Sequence, residues 1–174
     1  MPTIGIVNFI NDYKLTDGSI VHVDIFDTAG QEKYKSLSDN YYKKANCCLL
    51  VYDISNRKTF EEIKNYYNPK IKENCQKYLK VILLGNKADL EKEREIPSEE
   101  ASEFAMKNNY IFMESSCMTN TNVSNAFETL IEITNRESII NRIQNKKCKN
   151  MVLSREDYNI KEKGHFSKTS CCYS

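Results

Sequence analysis

"KVILLGNKAD", residues 80–89, combines an unbroken apolar run with a polar sequence that follows it directly. A second run, "CCLLVYDIS" at residues 47–55, is built in the same way. Strands that are covered by helices on both faces carry continuous rather than alternating apolar residues, as in a parallel sheet. The two runs therefore predict neighbouring buried strands of a parallel sheet.

The segments around these runs have helical spacing. Residues 56–75 place Phe60, Ile63 and Tyr67 on one side, and Pro69 is expected to bend or break that helix. Further along, "PSEEASEFAMKNN" begins with residues that are typical of a helix start. The segment "YIFMESS" then predicts a third strand, and "NVSNAFETLIEITNRESIINRI" predicts a long amphipathic helix. Alternating strands and helices indicate a layered α/β domain with right-handed crossovers.

Near the start, Asp17-Gly18 separates two β-rich segments, "IVNFINDYKLT" and "SIVHVDIF". An Asp-Gly pair in this setting indicates a hairpin. We therefore expect a mostly parallel sheet with one antiparallel edge hairpin.

Composition supports one globular domain. The 174 residues are 40% hydrophobic and 28% charged, which disfavours disorder and fibrous repeats. No stretch reaches the ~18 apolar residues of a membrane span, and "MPTIGIVNF" lacks the features of a signal peptide. A cytosolic chain is the expectation.

Charge is unevenly distributed around the net value of +1. Residues 136–174 hold nine basic and four acidic side chains, whereas the rest of the chain is net acidic. We predict a globular domain over residues 1–145 and a flexible basic tail over residues 146–174. Such a tail suits a membrane surface rich in anionic lipid, and the alternative is a solvated tail without a partner.

Seven cysteines and two histidines occur without a C-x-x-C pair, so neither a disulfide framework nor a zinc site is expected. Cys47 and Cys48 are predicted to pack inside a strand. The chain ends in "CCYS", which predicts lipid attachment at Cys171 within a C-a-a-X box and at the adjacent Cys172. The alternative is two unmodified terminal cysteines.

"DTAGQE", residues 27–32, follows the strand "VHVDIF" and indicates phosphate chemistry. A carboxylate at the C-terminal tip of a strand lies where α/β folds bind ligands. Asp27 could hold a water of Mg²⁺, the Gly30 amide can approach a phosphate, and Gln31 can orient an attacking water.

"NKAD" contributes Asn86, Lys87 and Asp89 directly after the strand "VILLG". A carboxylate can accept two hydrogen bonds from guanine N1 and its amino group, and adenine lacks that pair of donors. The position of these residues after a buried strand and downstream of "DTAGQE" indicates guanine over adenine.

Together these motifs resemble the Rab branch of the Ras-like small GTPases, along nearly the whole chain. "PTIG" resembles the switch I segment whose threonine, here Thr3, binds Mg²⁺, and "DTAGQEKYKSLSDNYYKKA" resembles switch II. "ESSCMTN" resembles the third guanine motif, with Ser116, Cys117 and Met118 at its centre. By resemblance the Cys117 amide reaches the base carbonyl and Met118 packs on the edge of the ring.

The resemblance implies a Ras-like P-loop GTPase fold that binds GTP or GDP with Mg²⁺ and cycles between cytosol and the cytoplasmic face of endomembranes. Phe9, Phe26 and Tyr41 fall at or near the hydrophobic triad that Rabs present to effectors. Other implied partners are exchange factors, GTPase-activating proteins, the prenyltransferase machinery, GDP-dissociation inhibitor and anionic membrane, without nucleic acid. The sequences of switch II and of the tail weakly favour the endosomal Rabs.

The sequence also departs from the family. No G-x-x-x-x-G-K-[ST] loop occurs, because no two of the five glycines are five residues apart. The family's first strand and first helix are missing as well. In the family's sheet, the first strand lies between the strand that here ends at Asp27 and the strand that here begins near Cys47. Its loss is expected to leave two unpaired inner edges.

Between Thr3 and Asp27 the chain is one residue longer than usual, which predicts a bulge or a register shift near Val7 and Asn8. Three interpretations of the missing segment follow. The favoured one is a truncated form of an ordinary Rab, which begins at an internal methionine or lacks its first exon. The others are a degenerate Rab-like interaction module that does not hydrolyse GTP, and a fragment without activity.

Overall fold

The computed structural model describes residues 6–28, 43–74, 79–150 and 168–173, and every structural statement below concerns those residues. They form an α/β fold with six strands in one sheet: β1 (Ile6–Lys14), β2 (Ile20–Thr28), β3 (Cys47–Asp53), β4 (Lys80–Asn86), β5 (Ile111–Glu114) and β6 (Lys168–Tyr173). The order in space is β1-β2-β6-β3-β4-β5. Only β1 and β2 pair antiparallel, which confirms the mostly parallel sheet with one edge hairpin.

The described residues also form four α-helices: α1 (Arg57–Glu62), α2 (Asn68–Asn74), α3 (Ser98–Asn108) and α4 (Val123–Asn150). Glu99 and Glu100 lie in the first turn of α3, where negative charge is favourable, and Asn109 ends it in the left-handed conformation with φ of 58°. None of the described helices combines the length and the apolar character that crossing a membrane requires.

The helix at Pro69 neither ends nor breaks. A π-helical turn, Ile63–Tyr67, joins α1 to α2, and the Asn68 amide donates to the Ile63 carbonyl. Proline removes one backbone donor and crowds the preceding turn, so a locally widened turn lets the helix continue past it.

The β1–β2 hairpin has a three-residue turn, Thr16 to Gly18. The Leu15 amide donates to the Ser19 carbonyl at 2.8 Å, and Gly18 has a φ of 84°, which glycine adopts readily. This turn fixes a register in which Phe9 faces Ile25 and Asn8 faces Phe26. Because side chains alternate along a strand, Phe9 and Phe26 lie on opposite faces of the sheet.

The centre of the sheet differs from the expectation of two unpaired inner edges. Strand β6 lies between β2 and β3 and is parallel to both. Helix α4 extends to Asn150, and β6 starts at Lys168, so part of the region predicted as a flexible tail is helical or extended. The physical reason for β6 is that inner strand edges within a core need partners for their backbone groups.

Two apolar cores cover the two faces of the sheet. One joins Leu50, Tyr52, Ile54 and Leu83 to α1 and α3, and the other joins Val23, Leu49 and Ile82 to Leu130 and Ile131 of α4. Residues along β3 and β4 alternate between the two cores, which explains their continuous apolar sequence.

Cys47 and Cys48 are both buried in β3, as expected. Cys47 is disulfide-bonded, whereas Cys48 and Cys117 carry thiol groups. The sequence indicated no disulfide framework and gave no signal for this bond.

Candidate functional site

Polar side chains gather where the parallel strands end. Asp27, Asp53, Asn86 and Glu114 lie at or next to the C-terminal ends of β2, β3, β4 and β5, which share one edge of the sheet. α/β folds bind ligands at this edge, because side chains and loops from several strands converge there.

Two loops meet at this edge, one after β4 and one after β5. The Ser115 amide donates to the Gly85 carbonyl at 2.8 Å, and the Ala88 amide donates to the Ser115 carbonyl at 3.0 Å. Ser115 and Ser116 are each only 1% exposed. The two loops therefore form one rigid backbone unit, although about 30 residues separate them along the chain.

Asp89 is positioned by the second loop. The Ser116 hydroxyl donates to one Asp89 carboxylate oxygen, and the Thr119 amide donates to the Ser116 hydroxyl oxygen at 3.1 Å. Ser116 and Thr121 exchange two backbone hydrogen bonds at 2.9 and 3.0 Å, which fixes the base of the loop. A carboxylate held in this way has a set orientation and keeps acceptor capacity for a ligand.

Lys87 has a left-handed backbone, with φ of 64°, and its ammonium group forms an ion pair with Asp53 at 2.5 Å. Asp53 also accepts from the Ser55 amide at 2.9 Å and from the Ser55 hydroxyl at 2.7 Å. Burial acts to raise the pKa of Asp53, but Lys87 and Ser55 outweigh it and the pKa is lowered. The Asp53 bond raises the pKa of Lys87, so both groups are charged near neutral pH.

Arg94 anchors the segment that follows the first loop. Its guanidinium binds both carboxylate oxygens of Glu114 at 2.7 and 3.0 Å, and it also binds Glu91. The Ser98 hydroxyl donates to Glu114 at 2.7 Å. Arg94 is 14% exposed and Glu114 22%, so this fork geometry is largely shielded from water.

Gly85 is the last residue before the "NKAD" motif, and the space beside it is filled. A Cβ at this position would lie 2.8 Å from the Tyr52 hydroxyl oxygen and 3.1 Å from a methyl carbon of Ile54. Within the described residues, the buried Tyr52 hydroxyl has no hydrogen-bond partner. The close approach of β3 to β4 under the site thus depends on glycine.

The structure brings together Asn86, Lys87, Asp89 and Ser116, four of the residues predicted to bind guanine. Cys117 and Met118 follow directly and are exposed, Met118 at 86%. Thr3, Gly30, Gln31 and Tyr41 lie outside the described residues. Phe9 is 55% exposed, and the structure does not place it on the same face as Phe26.

Three residues with predicted functional roles lie on β2 and β6, away from the paired loops. Asp27 is partly exposed and pairs through its backbone with Val7 and with Tyr173 of β6. Cys171 and Cys172, predicted as lipid acceptors, belong to β6 itself. Their lipidation remains a prediction.

Sequence reasoning did not single out Asp53 or Ser115. Asp53 ends the apolar run "CCLLVYD", just as Asn86 ends the next run. Its position at the end of a predicted strand could therefore have identified it as a candidate site residue. Ser115 acts through its backbone, and only the tertiary structure shows that its amide and carbonyl join the two loops.

Of the two residues predicted to hold Mg²⁺, only Asp27 belongs to the described part of the chain. Its partly exposed position at the ligand edge fits Mg²⁺, which keeps several waters and needs only one or two protein oxygens beside a phosphate. The described residues contain no group of three side chains able to hold a metal by themselves.

A sequence model described as the Ras family matches residues 1–136. Relatives include "Ras-related protein Rab11A" of Lotus japonicus, which is 39% identical over 79% of this chain and 62% of its own length. "Ras-related protein RABA4b" of Arabidopsis thaliana is 42% identical over 74% of this chain and 57% of its own. "Ras-related protein Rab-2B" of Dictyostelium discoideum is 40% identical over 75% and 63%.

The chain thus spans about six-tenths of the length of these relatives. The region that the family model matches contains β1 to β5, the paired loops and the motifs from "PTIG" to "ESSCMTN". On the fold, the family match and the relatives named above, this chain belongs to the Ras family of small GTPases, in its Rab branch.

Proposed function

We propose that this protein is a guanine-nucleotide-dependent switch that regulates vesicle transport from the cytoplasmic face of endomembranes. The observation that carries the proposal is the pair of loops around Asp89. Ser116 fixes one carboxylate oxygen, and the backbone bonds of Ser115 hold the "NKAD" loop in place. A carboxylate fixed in this way suits the two donors of guanine and leaves adenine without a matching pair.

The remaining parts of the switch come from the family. Asp27 and Thr3 would hold Mg²⁺, which when bound neutralises charge on the phosphates. Gln31 would orient the attacking water, and the segments around Thr3 and Gly30 would present the effector surface with Phe26 and Tyr41. Phe9 lies on the opposite face of the sheet from Phe26 and is not proposed as part of that surface. Two lipid anchors at Cys171 and Cys172 would hold the protein on anionic membrane, because a single chain binds only marginally.

Exchange factors, GTPase-activating proteins, effectors, the prenyltransferase machinery and GDP-dissociation inhibitor are the proposed partners. An endosomal membrane is the proposed location. GTP hydrolysis is proposed for the protein with a complete phosphate loop, which the 174 residues do not contain.

The test is calorimetric titration of the full chain with GDP, ADP and xanthosine diphosphate. We expect GDP alone to bind. Asp89→Asn should weaken GDP by about 10- to 100-fold, since hydrogen bonds to a charged group are lost. It should strengthen xanthosine diphosphate, because xanthine has a carbonyl where guanine has its amino group.

Glu103→Gln is the matched control, since Glu103 is 70% exposed on α3 and pairs with the exposed Lys107. Equal binding of GDP and ADP would contradict guanine recognition. A chain that unfolds cooperatively but binds no nucleotide would instead be the Rab-like interaction module. A chain without a cooperative transition would be a fragment without activity.

A further inference from the structure

The loop after β4 carries a cation and an anion that are close enough to neutralise each other. Lys87 and Asp89 are separated by one residue. The pKa of Lys87 is raised mainly by its bond with Asp53 and, less strongly, by the charge of Asp89. An ammonium group and a nearby carboxylate form an ion pair unless another group competes. Here the competitor wins, because Lys87 pairs at 2.5 Å with Asp53 at the end of β3.

Asp53 is oriented to receive that ammonium group. One of its carboxylate oxygens accepts from the amide and the hydroxyl of Ser55, and the other binds Lys87. The Asp53 side chain is 17% exposed, so water and salt screen the pair only in part. In the register of β3 and β4, Asp53 lies opposite Asn86, the residue before Lys87. Strand pairing and Ser55 thus fix the carboxylate where Lys87 leaves β4.

Packing does not decide which carboxylate Lys87 binds. Its side chain is 52% exposed, and a lysine stem is flexible. Its backbone is fixed, since the Leu90 amide donates to the Lys87 carbonyl at 2.9 Å. The ammonium group can therefore turn from Asp53 to Asp89 by side-chain rotation alone. The choice between the two carboxylates is electrostatic.

The choice matters for the ligand capacity of Asp89. The Ser116 hydroxyl donates to one Asp89 oxygen, and within the described part of the chain Asp89 forms no ion pair. A charge-assisted bond from an ammonium group is stronger than a bond from a neutral base. Lys87 paired with Asp89 would therefore compete with any neutral ligand that donates to this carboxylate.

We propose that Asp53, held by Ser55, is a positioning residue that keeps the Lys87 ammonium group away from Asp89 and so leaves Asp89 able to bind guanine. The inference rests on the proposed function, because guanine is the ligand proposed for Asp89. Asp53 acts through Lys87 and does not contact the base. Loss of Asp53 is therefore worse for the ligand than loss of Lys87, because a misplaced ammonium group occupies Asp89 and a missing one does not.

Calorimetric titration of the full chain with GDP tests this order. Asp53→Asn should weaken GDP binding by about tenfold or more, through its coupling to Lys87. Lys87→Met should weaken GDP binding less, and the double variant should return to the level of Lys87→Met. The proposal is overturned if Asp53→Asn binds GDP as tightly as Lys87→Met. It is also overturned if the double variant binds as weakly as Asp53→Asn.

Glu61→Gln is the matched control, because it removes a carboxylate that pairs with Lys64 at 2.9 Å. It should bind GDP like the natural chain. Circular dichroism melts report whether each variant is folded. If Asp53→Asn does not fold, Ser55→Ala takes its place, since it removes the hydroxyl that orients Asp53. Ser55→Ala should weaken GDP binding by about twofold or more, and unchanged binding would overturn the proposal.

Nuclear magnetic resonance of ¹⁵N-labelled lysine ammonium groups follows the ion pair without nucleotide. The signal that Lys87→Met removes identifies Lys87. In the natural chain, Asp89→Asn should leave this signal in place. In Asp53→Asn, the same substitution should shift it, because Lys87 has turned to Asp89. An equal response in the two backgrounds would contradict the proposal.

The two measurements separate this role of Asp53 from guanine recognition itself. If the natural chain binds no GDP, the proposed function fails, and the lysine signal still shows which carboxylate Lys87 selects. If GDP binds but Lys87 responds equally in both backgrounds, guanine recognition stands and only the role of Asp53 fails.

Discussion

The two halves of the sheet are held together in different ways. Strands β3, β4 and β5 pair in sequence order, and their carboxyl ends are tied by Ser115, Lys87 and Arg94 into one polar unit. Among the described residues, β2 and β3 are joined through β6, which comes from residues 168–173. The loops around Asp89 are thus secured by bonds between neighbouring elements, whereas the join between β2 and β3 depends on a distant segment.

The largest expected effect on stability comes from placing proline in a central strand of each half of the sheet. Leu83→Pro places proline in the middle of β4, at a side chain that is fully buried. It should lower the free energy of unfolding by more than ~3 kcal/mol and prevent a cooperative transition, because it removes a ladder bond and disrupts packing.

Circular dichroism melts of Leu83→Pro and Ser170→Pro would measure this difference. Ser170→Pro in β6 should keep a cooperative transition, with losses confined to β2 and β3, the two strands that pair with β6. If both variants failed to fold, the two halves would be equally dependent on their central strands, and the contrast would be wrong.

The next effect concerns Arg94, which ties the segment after β4 to the end of β5. Arg94→Ala leaves the largely shielded Glu114 carboxylate with the Ser98 hydroxyl but without its cationic partner, so we expect a loss of about 2–4 kcal/mol in the free energy of unfolding. Urea denaturation measures it. Lys107→Ala, which removes an exposed pair with Glu103, should cost less than ~1 kcal/mol. A similar cost for the two variants would contradict a structural role for the Arg94 fork.

The smallest effect tests the close approach of β3 to β4 at Gly85. Gly85→Ala should cost about 1–3 kcal/mol, because the new methyl group would lie 2.8 Å from the Tyr52 hydroxyl oxygen. Tyr52→Phe should be nearly neutral, since that hydroxyl has no partner among the described residues.

Combining the two substitutions gives a thermodynamic cycle for the contact. We expect Tyr52→Phe to recover part of the loss in Gly85→Ala, leaving the contacts with Ile54 and the Tyr52 ring. Strictly additive costs would show that the hydroxyl is not the group that meets the new methyl.

The sequence by itself determined much of this protein. Apolar runs that end in polar residues predicted β3 and β4, and Asp17-Gly18 predicted the hairpin. "NKAD" predicted a guanine site in the loop after β4, which stays a prediction. These signals are local: the pattern of burial, a turn residue and a motif directly after a strand each lie within a few residues.

Only the tertiary structure decided the rest. A three-residue rather than a two-residue turn set the hairpin register that separates Phe9 from Phe26. The π-helical turn carried the helix past Pro69, and packing rather than propensity supports that continuation. The position of β6 depends on pairing with β2 and β3, which lie more than 100 residues away along the chain, and pairing over such a separation leaves no pattern in the segment itself.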